Sequence, residues 1–478
     1  MPAAIKAAAP VAAAHQASVP GQGSAASGGI TRPRRGSADP GLPARIGKYP
    51  ILQRLGEGAT SEVFLAEDEF QQRAVAIKRV RLASADSDSV DNHYRERFFA
   101  AEAALVGKLQ HPNVVQIYDA VPDPLQPYLV MEYVPGVTLR RFCRPDSLLA
   151  LDQVVEIGFK CAMALGFVAR QGLIHRDVKP ANILAITQND YVTDVKITDF
   201  GSAFDQRSDH TQVYRVGSLA YMSPEQLDGS TLDTRADMYS LGAVLFHLVA
   251  GRPPFDAGQQ LALMNQIYHS APPSVASLRE GVPPRMDKLL RQMLAKRPDE
   301  RPADWDSFAR EWALLVANSE VPVGRLQDVL DSERFNLLRS LEFFTSFGDV
   351  ELWEVVHRGQ WRRHKYGAAL YRRGQEGNTF HIIAQGQVEV YREGKRVAQL
   401  GVGTSVGEMA YLAPSPDLRV HSADVIVSSP ATTIAFTPDS LQCLTPATRH
   451  LFDSAFIKVL VRRLHAAHEA LAHPRRIL

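Results

Sequence analysis

The alternation of apolar and polar positions changes character three times along the chain. Residues 1–45 are rich in Ala, Gly, Pro and Ser, with few large apolar side chains and no acid before Asp39. Such a segment buries too little surface to offset chain entropy and is expected to be disordered. From Tyr49 short strand-like stretches begin, at 51–55, 63–67 and 74–80. Phe98, Glu102, Leu105 and Leu109 then recur at i, i+4, i+7 and i+11, which predicts a helix over 95–109. Two more strand candidates and long helical stretches follow, to about Leu315. Residues 154–168 and 241–251 are largely apolar, too short to span a bilayer, and carry Lys160 and His247 respectively; they predict buried helices. Residues 316–332 carry Asn318, Ser319, Pro322 and Gly324 and predict a partly helical linker. From Phe335 short strands recur at 368–372, 379–384, 387–391 and 396–400, punctuated by Gly374, Gly377, Gly386, Gly394 and Gly403. They predict a small β-barrel or jelly roll. Phe452, Phe456, Val459, Leu460 and Leu464 return at helical spacing. The expected class is α+β: a β-rich lobe before a helical one over 47–315, the linker, then a β-barrel with flanking helices over 335–470.

Charge narrows the partners. With 53 Lys and Arg against 52 Asp and Glu, the net charge of +1 offers no general attraction to nucleic acid or an anionic membrane. Cys143, Cys161 and Cys443 lie far apart, which argues against a disulfide framework or a zinc cage and suits a reducing compartment. No apolar run reaches the ~18 residues that span a bilayer. The N-terminus lacks a basic start leading into an apolar core. The expectation is a cytoplasmic protein with neither membrane nor nucleic-acid partner.

The chemistry is concentrated in motifs. Between two predicted strands runs Leu55-Gly56-Glu57-Gly58-Ala59-Thr60-Ser61-Glu62-Val63, whose glycines let backbone N–H groups approach phosphates. Val75-Ala76-Ile77-Lys78 ends an apolar strand on a lysine. Glu102, on an apolar stripe, needs a partner because an unpaired buried charge is costly. Lys78 is the natural candidate, and a place at the solvent edge of the stripe is the alternative. Further on stand His175-Arg176-Asp177-Val178-Lys179-Pro180-Ala181-Asn182, Asp199-Phe200-Gly201, Ser223-Pro224-Glu225, Asp237 and Arg301-Pro302.

In this order and at these distances the motifs resemble the eukaryotic-type protein kinase family, with bacterial serine/threonine members suggested by 217–226. The resemblance implies a bilobal fold over 47–315, binding ATP and Mg²⁺ and acting on protein substrates. It implies that Lys78, oriented by Glu102, holds the α- and β-phosphates. Asp199 and Asn182 would hold Mg²⁺, Asp177 would orient or deprotonate the substrate hydroxyl, and Lys179 would neutralise the transferring phosphoryl group. Leu55, Gly56, Gly58, Val63, Ala76, Glu132 and Val134 would surround the nucleotide, with Ser61 in place of the third glycine. Met131 would be the gatekeeper, a plain core methionine, or both. Lys179 and Ser218 match the serine/threonine pattern. Glu225 and Arg301 resemble a buried ion pair anchoring the activation segment, and Asp237 a brace for the catalytic loop. Arg176 implies control by activation-loop phosphorylation, with Thr211 favoured over Ser208 and Ser202. Arg34-Arg35-Gly36-Ser37 reads as a basophilic phosphorylation sequence or as a solvated basic tail.

The C-terminal third carries a second resemblance. Residues 367–390 followed by Gly403-Thr404-Ser405-Val406-Gly407-Glu408-Met409-Ala410 resemble the cyclic-nucleotide-binding domain. A helix N-terminus offers free N–H groups to a cyclic phosphate. The resemblance implies a phosphate cassette of Gly407, Glu408, Met409 and Ala410, with Glu408 on the ribose 2′-OH, Arg419 on the phosphate and Ser422 adding a hydroxyl. The cassette departs from the family pattern. Glu408 and Arg419 stand eleven residues apart, about two more than the family spacing, and Val420-His421 replace two small residues. A cyclic nucleotide, cAMP favoured over cGMP, is the expected regulatory ligand. The alternatives are a nucleotide sensor or scaffold whose kinase fold serves interaction, a kinase with a ligand-free C-terminal domain, and a small-molecule phosphotransferase.

Overall fold

Val75 and Ile77, β-branched and two positions apart, anchor the centre of the first layer, because such residues pack well on a pleated surface. The computed structural model describes residues 42–58, 61–81, 96, 99–123, 126–200, 204–205, 216–322, 330–413, 415 and 418–472. β1 (Arg45–Ile46), β2 (Tyr49–Glu57), β3 (Ser61–Asp68), β4 (Arg73–Val80), β5 (Ile117–Val121) and β6 (Tyr128–Glu132) form one sheet in the order β1-β2-β3-β4-β6-β5. Antiparallel register sets Lys78 on β4 between Val63 on β3 and Leu129 on β6. Val75 and Ile77 are fully buried, so Lys78 projects from the other face. Residues 99–103 are helical, but the chain passes into turns over 104–108, and Gly107 is left-handed (φ +70°). The helix expected to 109 therefore ends early, although Leu105 and Leu109 stay buried. Phe98 lies outside the described residues.

The next layer is helical. α1 (Leu151–Arg170) is buried along most of its length and packs against α6 (Trp305–Ala317) and α3 (Arg235–Ala250), with α2 (Pro224–Leu227), α4 (Gln260–His269) and α5 (Pro284–Met293) completing the lobe. Gly158 makes this packing possible: a β-carbon there would lie 2.5 Å from Trp312 Nε1, which donates to Val155 O at 2.9 Å. β7 (Val137–Thr138), β9 (Ile183–Gln188) and β10 (Tyr191–Ile197) form a small sheet under the first layer, and β8 (Leu173–Ile174) pairs with β11 (Phe204–Asp205).

Past the described end of the linker, α7 (Asp331–Ser340) and α8 (Asp349–Arg358) lie against α1. β12 (Gln360–His364), β13 (Ala369–Tyr371), β14 (Phe380–Arg392), β15 (Lys395–Leu400), β16 (Ser405–Val406) and β17 (Asp424–Phe436) make an antiparallel sheet around the central pair β14–β17. The two strands expected at 379–384 and 387–391 are one strand, β14, with register shifts around Gln385 and a left-handed Gly386 (φ +83°) that let it bend. Short α9 (Glu408–Tyr411) and α10 (Pro438–Gln442) precede α11 (Pro446–Ala472). Phe343, Phe344 and Phe347 pack on Phe452, which links the turn between α7 and α8 to α11. One continuous apolar core runs from β4 to α11, while Tyr371, Ile383, Val388, Val406 and Val425 fill a separate barrel interior. The described residues from 44 onward form one compact unit. No helix among the described residues is long and apolar enough to cross a membrane.

Candidate functional site

Lys78 Nζ sits 2.8 Å from both Glu102 oxygens and 2.8 Å from Asp199 Oδ1. β4 supplies the lysine, the helical residues 99–103 the glutamate, and the turn after β10 the aspartate. Burial opposes the charge of Lys78, but Asp199 and then Glu102 outweigh it and hold the ammonium above its ordinary range. Burial likewise opposes the charge of Asp199, yet Lys78 keeps that carboxyl below the usual range. Both groups are therefore charged at neutral pH.

Asp177, Lys179 and Asn182 form a second cluster. Lys179 Nζ donates to Asp177 Oδ1 and Oδ2 at 2.8 and 2.6 Å. Asn182 Nδ2 donates to Asp177 O and Oδ2, each at 2.9 Å. Asp177 N donates to His175 Nδ1 at 3.2 Å, which leaves the proton on Nε2, 3.0 Å from Thr198 O. Thr198 N also donates to Asn182 O at 2.9 Å, so the clusters are tied one residue before Asp199. Arg176 and Asp199 both have positive φ, +67° and +65°. Such a conformation costs free energy in non-glycine residues and needs external support. For Arg176 that support is Asp237, which accepts from His175 N at 2.7 Å and Arg176 N at 2.8 Å, and Gln226, whose Nε2 donates to Arg176 O at 2.8 Å. Glu225 and Arg301 form a two-point pair at 2.6 and 2.9 Å, with the Arg301 side chain fully buried.

Around this cleft, Ala76, Met131 and Val134 are buried, Val63 is half-buried and Leu55 is exposed. Gly58 N donates to Ser61 O at 2.8 Å, closing the glycine turn, and Gly56 pairs with Val63 across the sheet. The Glu132 side chain is taken by Lys196 Nζ at 2.9 Å. Asp199 and Asn182 fit a hard cation, because each offers an oxygen that makes none of the bonds above: the second carboxylate oxygen of Asp199 and the amide oxygen of Asn182. Ser202, Ser208 and Thr211 lie outside the described residues, as does Ser37.

Residues 49–313, more than half of the chain, match the family model of the protein kinase domain. The chain belongs to the protein kinase family. Behind the kinase domain, residues 361–445 match the cyclic nucleotide-binding domain. The chain is 39% identical over 300 residues to the serine/threonine-protein kinase PknB of Mycolicibacterium smegmatis, covering 61% of this chain and 46% of that protein. It is 36% identical over 303 residues to PknB of Mycobacterium tuberculosis, with the same coverage, and 35% identical over 258 residues to PrkC of Bacillus subtilis, covering 53% and 38%. The chain thus spans about half the length, or less, of these relatives.

In the second domain, Gly407 is left-handed (φ +85°) and a β-carbon there would collide with Tyr371 Oη, so glycine is required. Glu408 is buried and pairs with Arg463 of α11, whose Nη2 donates to Ser405 O at 2.8 Å. Glu408 Oε2 and Ser405 Oγ are buried without a hydrogen-bond partner among the described residues. Two such orphaned oxygens fit a polar ligand such as a ribose hydroxyl. Ala410 is buried, whereas Met409, Arg419 and Ser422 are exposed. His421, one of the two residues that depart from the small pair of the family pattern, packs on Tyr371 with ring centroids 3.9 Å apart and lies over Gly377, where any β-carbon would overlap it. Gly377 thus makes room for the bulky residue of the cassette.

Sequence patterns did not single out Arg463, which follows an apolar stripe as an ordinary surface arginine would. Nor did they reveal the junction between the domains. Trp353 of α8 donates from Nε1 to Asn113 Oδ1 at 3.0 Å, and Asn113 Nδ2 donates to Asp194 Oδ1 and Val195 O, each at 2.8 Å. Lys160 of α1 lies 3.2 Å from Asp194 and 3.0 Å from Asp331 of α7. Glu156 accepts from Ser332 Oγ at 2.8 Å.

Proposed function

We propose that this chain is a serine/threonine protein kinase that passes the ATP γ-phosphate to protein hydroxyls, and that its C-terminal domain takes a cyclic nucleotide, cAMP in preference to cGMP, as regulatory ligand. The observation that carries the first part is the charged Glu102–Lys78–Asp199 chain facing the Asp177–Lys179–Asn182 cluster. In this reading Lys78 holds the nucleotide's α- and β-phosphates and Glu102 keeps it aimed. Asp199 and Asn182 hold Mg²⁺. That ion, when bound, neutralises charge between the phosphates. Asp177 aligns the substrate hydroxyl and receives its proton, and Lys179, now paired with Asp177, turns its charge toward the transferring phosphoryl group. Leu55, Gly56, Gly58, Val63, Ala76, Glu132 and Val134 enclose the nucleotide, and Thr211, Ser208 or Ser202 carries an activating phosphate. The test is label transfer from ATP to the chain itself and to a mixture of acidic, neutral and basic proteins, with Asp177→Asn as control. No transfer to any of them, or equal transfer by the variant, rejects the reading.

Gly407, Glu408, Met409, Ala410, Arg419 and Ser422 form the proposed nucleotide cassette. The orphaned oxygens of Glu408 and Ser405 support it. Regulation is supported by the continuity from α8 through Asn113 to Ile197, whose N–H donates to Asn113 O at 2.8 Å two residues before Asp199. A ligand shifts kinase activity only through different affinities for two states, so the effect has to be reciprocal. A second reading, a ligand-free structural domain, is favoured by His421 filling the space over Gly377. Calorimetric titration with cAMP and cGMP of the wild-type chain and of Arg419→Ala separates the two. Kinase rates in each nucleotide then test regulation.

A further inference from the structure

A cavity of about 690 Å³ opens on the helical lobe beside the proposed catalytic loop. Its walls include Arg140, Arg141, Arg144, Tyr221, His247 and a single acid, Asp146. Two links fix its position. The 3₁₀ turn Leu139–Phe142, which bears Arg140 and Arg141, packs on the turn Pro180–Asn182 that ends the catalytic loop. Tyr221 closes the turn Val216–Tyr221 just before α2, and Gln226 of α2 holds the carbonyl of Arg176, next to Asp177. On the kinase reading, a protein segment delivering its hydroxyl to Asp177 would pass along this face.

The electrostatics of the cavity are one-sided. Arg140, Arg141 and Arg144 are exposed, and none is paired with a carboxylate among the described residues. The floor adds no negative charge. Tyr221 Oη hydrogen-bonds His247 Nδ1 at 2.8 Å, and the two rings stack at 15°. Burial drives the Tyr221 phenol above its ordinary range and the His247 imidazole below its own, so both are neutral at pH 7. Three guanidinium groups against one carboxylate repel a cationic side chain and favour an anionic one. Planar guanidinium forks suit carboxylate and phosphate oxygens.

We infer that this cavity is a substrate-specificity site that receives an anionic side chain, Asp, Glu or a phosphorylated serine or threonine, close in sequence to the acceptor hydroxyl. The inference rests on the kinase reading and deepens it by naming a substrate class. It also bears on Ser37: the preceding Arg34 and Arg35 make that segment a poor occupant of the chain's own site.

The test uses the full chain and four peptides sharing one acceptor serine, with flanking residues that are neutral, glutamate, phosphoserine or arginine. Steady-state kcat/KM is expected to be about tenfold or more higher for the anionic peptides than for the neutral one, and lowest for the arginine peptide. The gap should narrow as salt is raised. A phosphoserine peptide well above the glutamate peptide identifies substrates already phosphorylated nearby, and equal rates identify acidic segments; either supports the site. The triple variant Arg140→Ala/Arg141→Ala/Arg144→Ala should bring the anionic-to-neutral ratio close to one, mainly through KM. Arg140→Glu/Arg141→Glu/Arg144→Glu should reverse the order, and the three Arg→Lys changes together should restore part of the ratio. Because these side chains are exposed, unfolding midpoints should stay near wild type. An arginine peptide that matches or beats the anionic ones, or a triple alanine variant that keeps the wild-type ratio, overturns the inference. Phosphorylation of none of the peptides or proteins would instead reject the kinase reading itself.

Discussion

Asp177 accepts four hydrogen bonds through three oxygens, and that density of partners explains why its neighbours act as one unit. Asp177→Asn keeps the shape but loses the proton acceptor, so kcat should fall by about 10²–10⁴-fold, with a much smaller change in nucleotide affinity. Single-turnover labelling together with nucleotide titration checks both. At the other end of the chain, His381 is buried, with Nδ1 bonded to Tyr371 Oη at 2.7 Å and Nε2 without a hydrogen-bond partner among the described residues. Burial pushes the imidazole down to about 3 from 6.5. The unfolded chain therefore binds the extra proton over that interval, and stability falls as pH drops from about 6.5 toward about 3. The slope from one such histidine is about 1.4 kcal/mol per pH unit. Urea midpoints at pH 7 and pH 5 should differ less in His381→Gln than in wild type, and an equal difference in both would contradict the assignment.

Among the elements, α1 has the most demanding environment. Its apolar residues drive its burial, yet Lys160 and Glu156 are buried with them. Burial opposes the Lys160 charge, but Asp331, Asp194 and Glu156 hold the ammonium above its ordinary range. Glu156 is itself pushed up by burial. Removing the central cation of this group, as in Lys160→Met, leaves Glu156, Asp194 and Asp331 facing one another where α7 meets α1, with Arg334 still bonded to Asp331 at 3.0 Å. The expected cost is about 3–5 kcal/mol, read as a lower unfolding midpoint. Asp331→Asn combined with Lys160→Met should recover part of it, because the double change removes a charge of each sign. The strand β14 illustrates the opposite case: its apolar alternation was legible, but its continuity through Gly386 depends on the pairing with β17 that bends it.

For the whole molecule the central feature is that the C-terminal domain is not a tethered appendage. Phe159 lies 5.4 Å from Phe335 and 5.1 Å from Trp353, so α1, α7 and α8 share one aromatic core. Trp353→Phe keeps most of that packing and deletes the bond to Asn113, leaving a buried acceptor unsatisfied. It should cost about 1–3 kcal/mol and weaken any effect of cyclic nucleotide on kinase rate while leaving nucleotide affinity of the C-terminal domain nearly intact. Parallel titrations and rate measurements separate the two. Unchanged regulation in this variant would exclude Asn113 as the link.

The order of lobes and the barrel were readable along the chain, because periodicity and turn spacing carry that information, whereas Lys78, Glu102, Asp177, Asn182 and Asp199 were singled out by the resemblance of their motifs to those of protein kinases. Glu102 is the boundary case: an acid on an apolar stripe demanded a partner, but only folding chose Lys78 over the solvent edge. Three features had no local signature. Arg463 meets Glu408 from 55 positions away, His421 depends on the absence of a side chain at Gly377, and Trp353 reaches Asn113 across 240 residues. The three arginines beside Tyr221 and His247 likewise become one anionic-ligand cavity only when a turn and two distant segments are packed together. Chemistry confined to a motif is set by neighbours in the chain, whereas pairing, charge balance and cavities are set by neighbours in space, which packing alone selects.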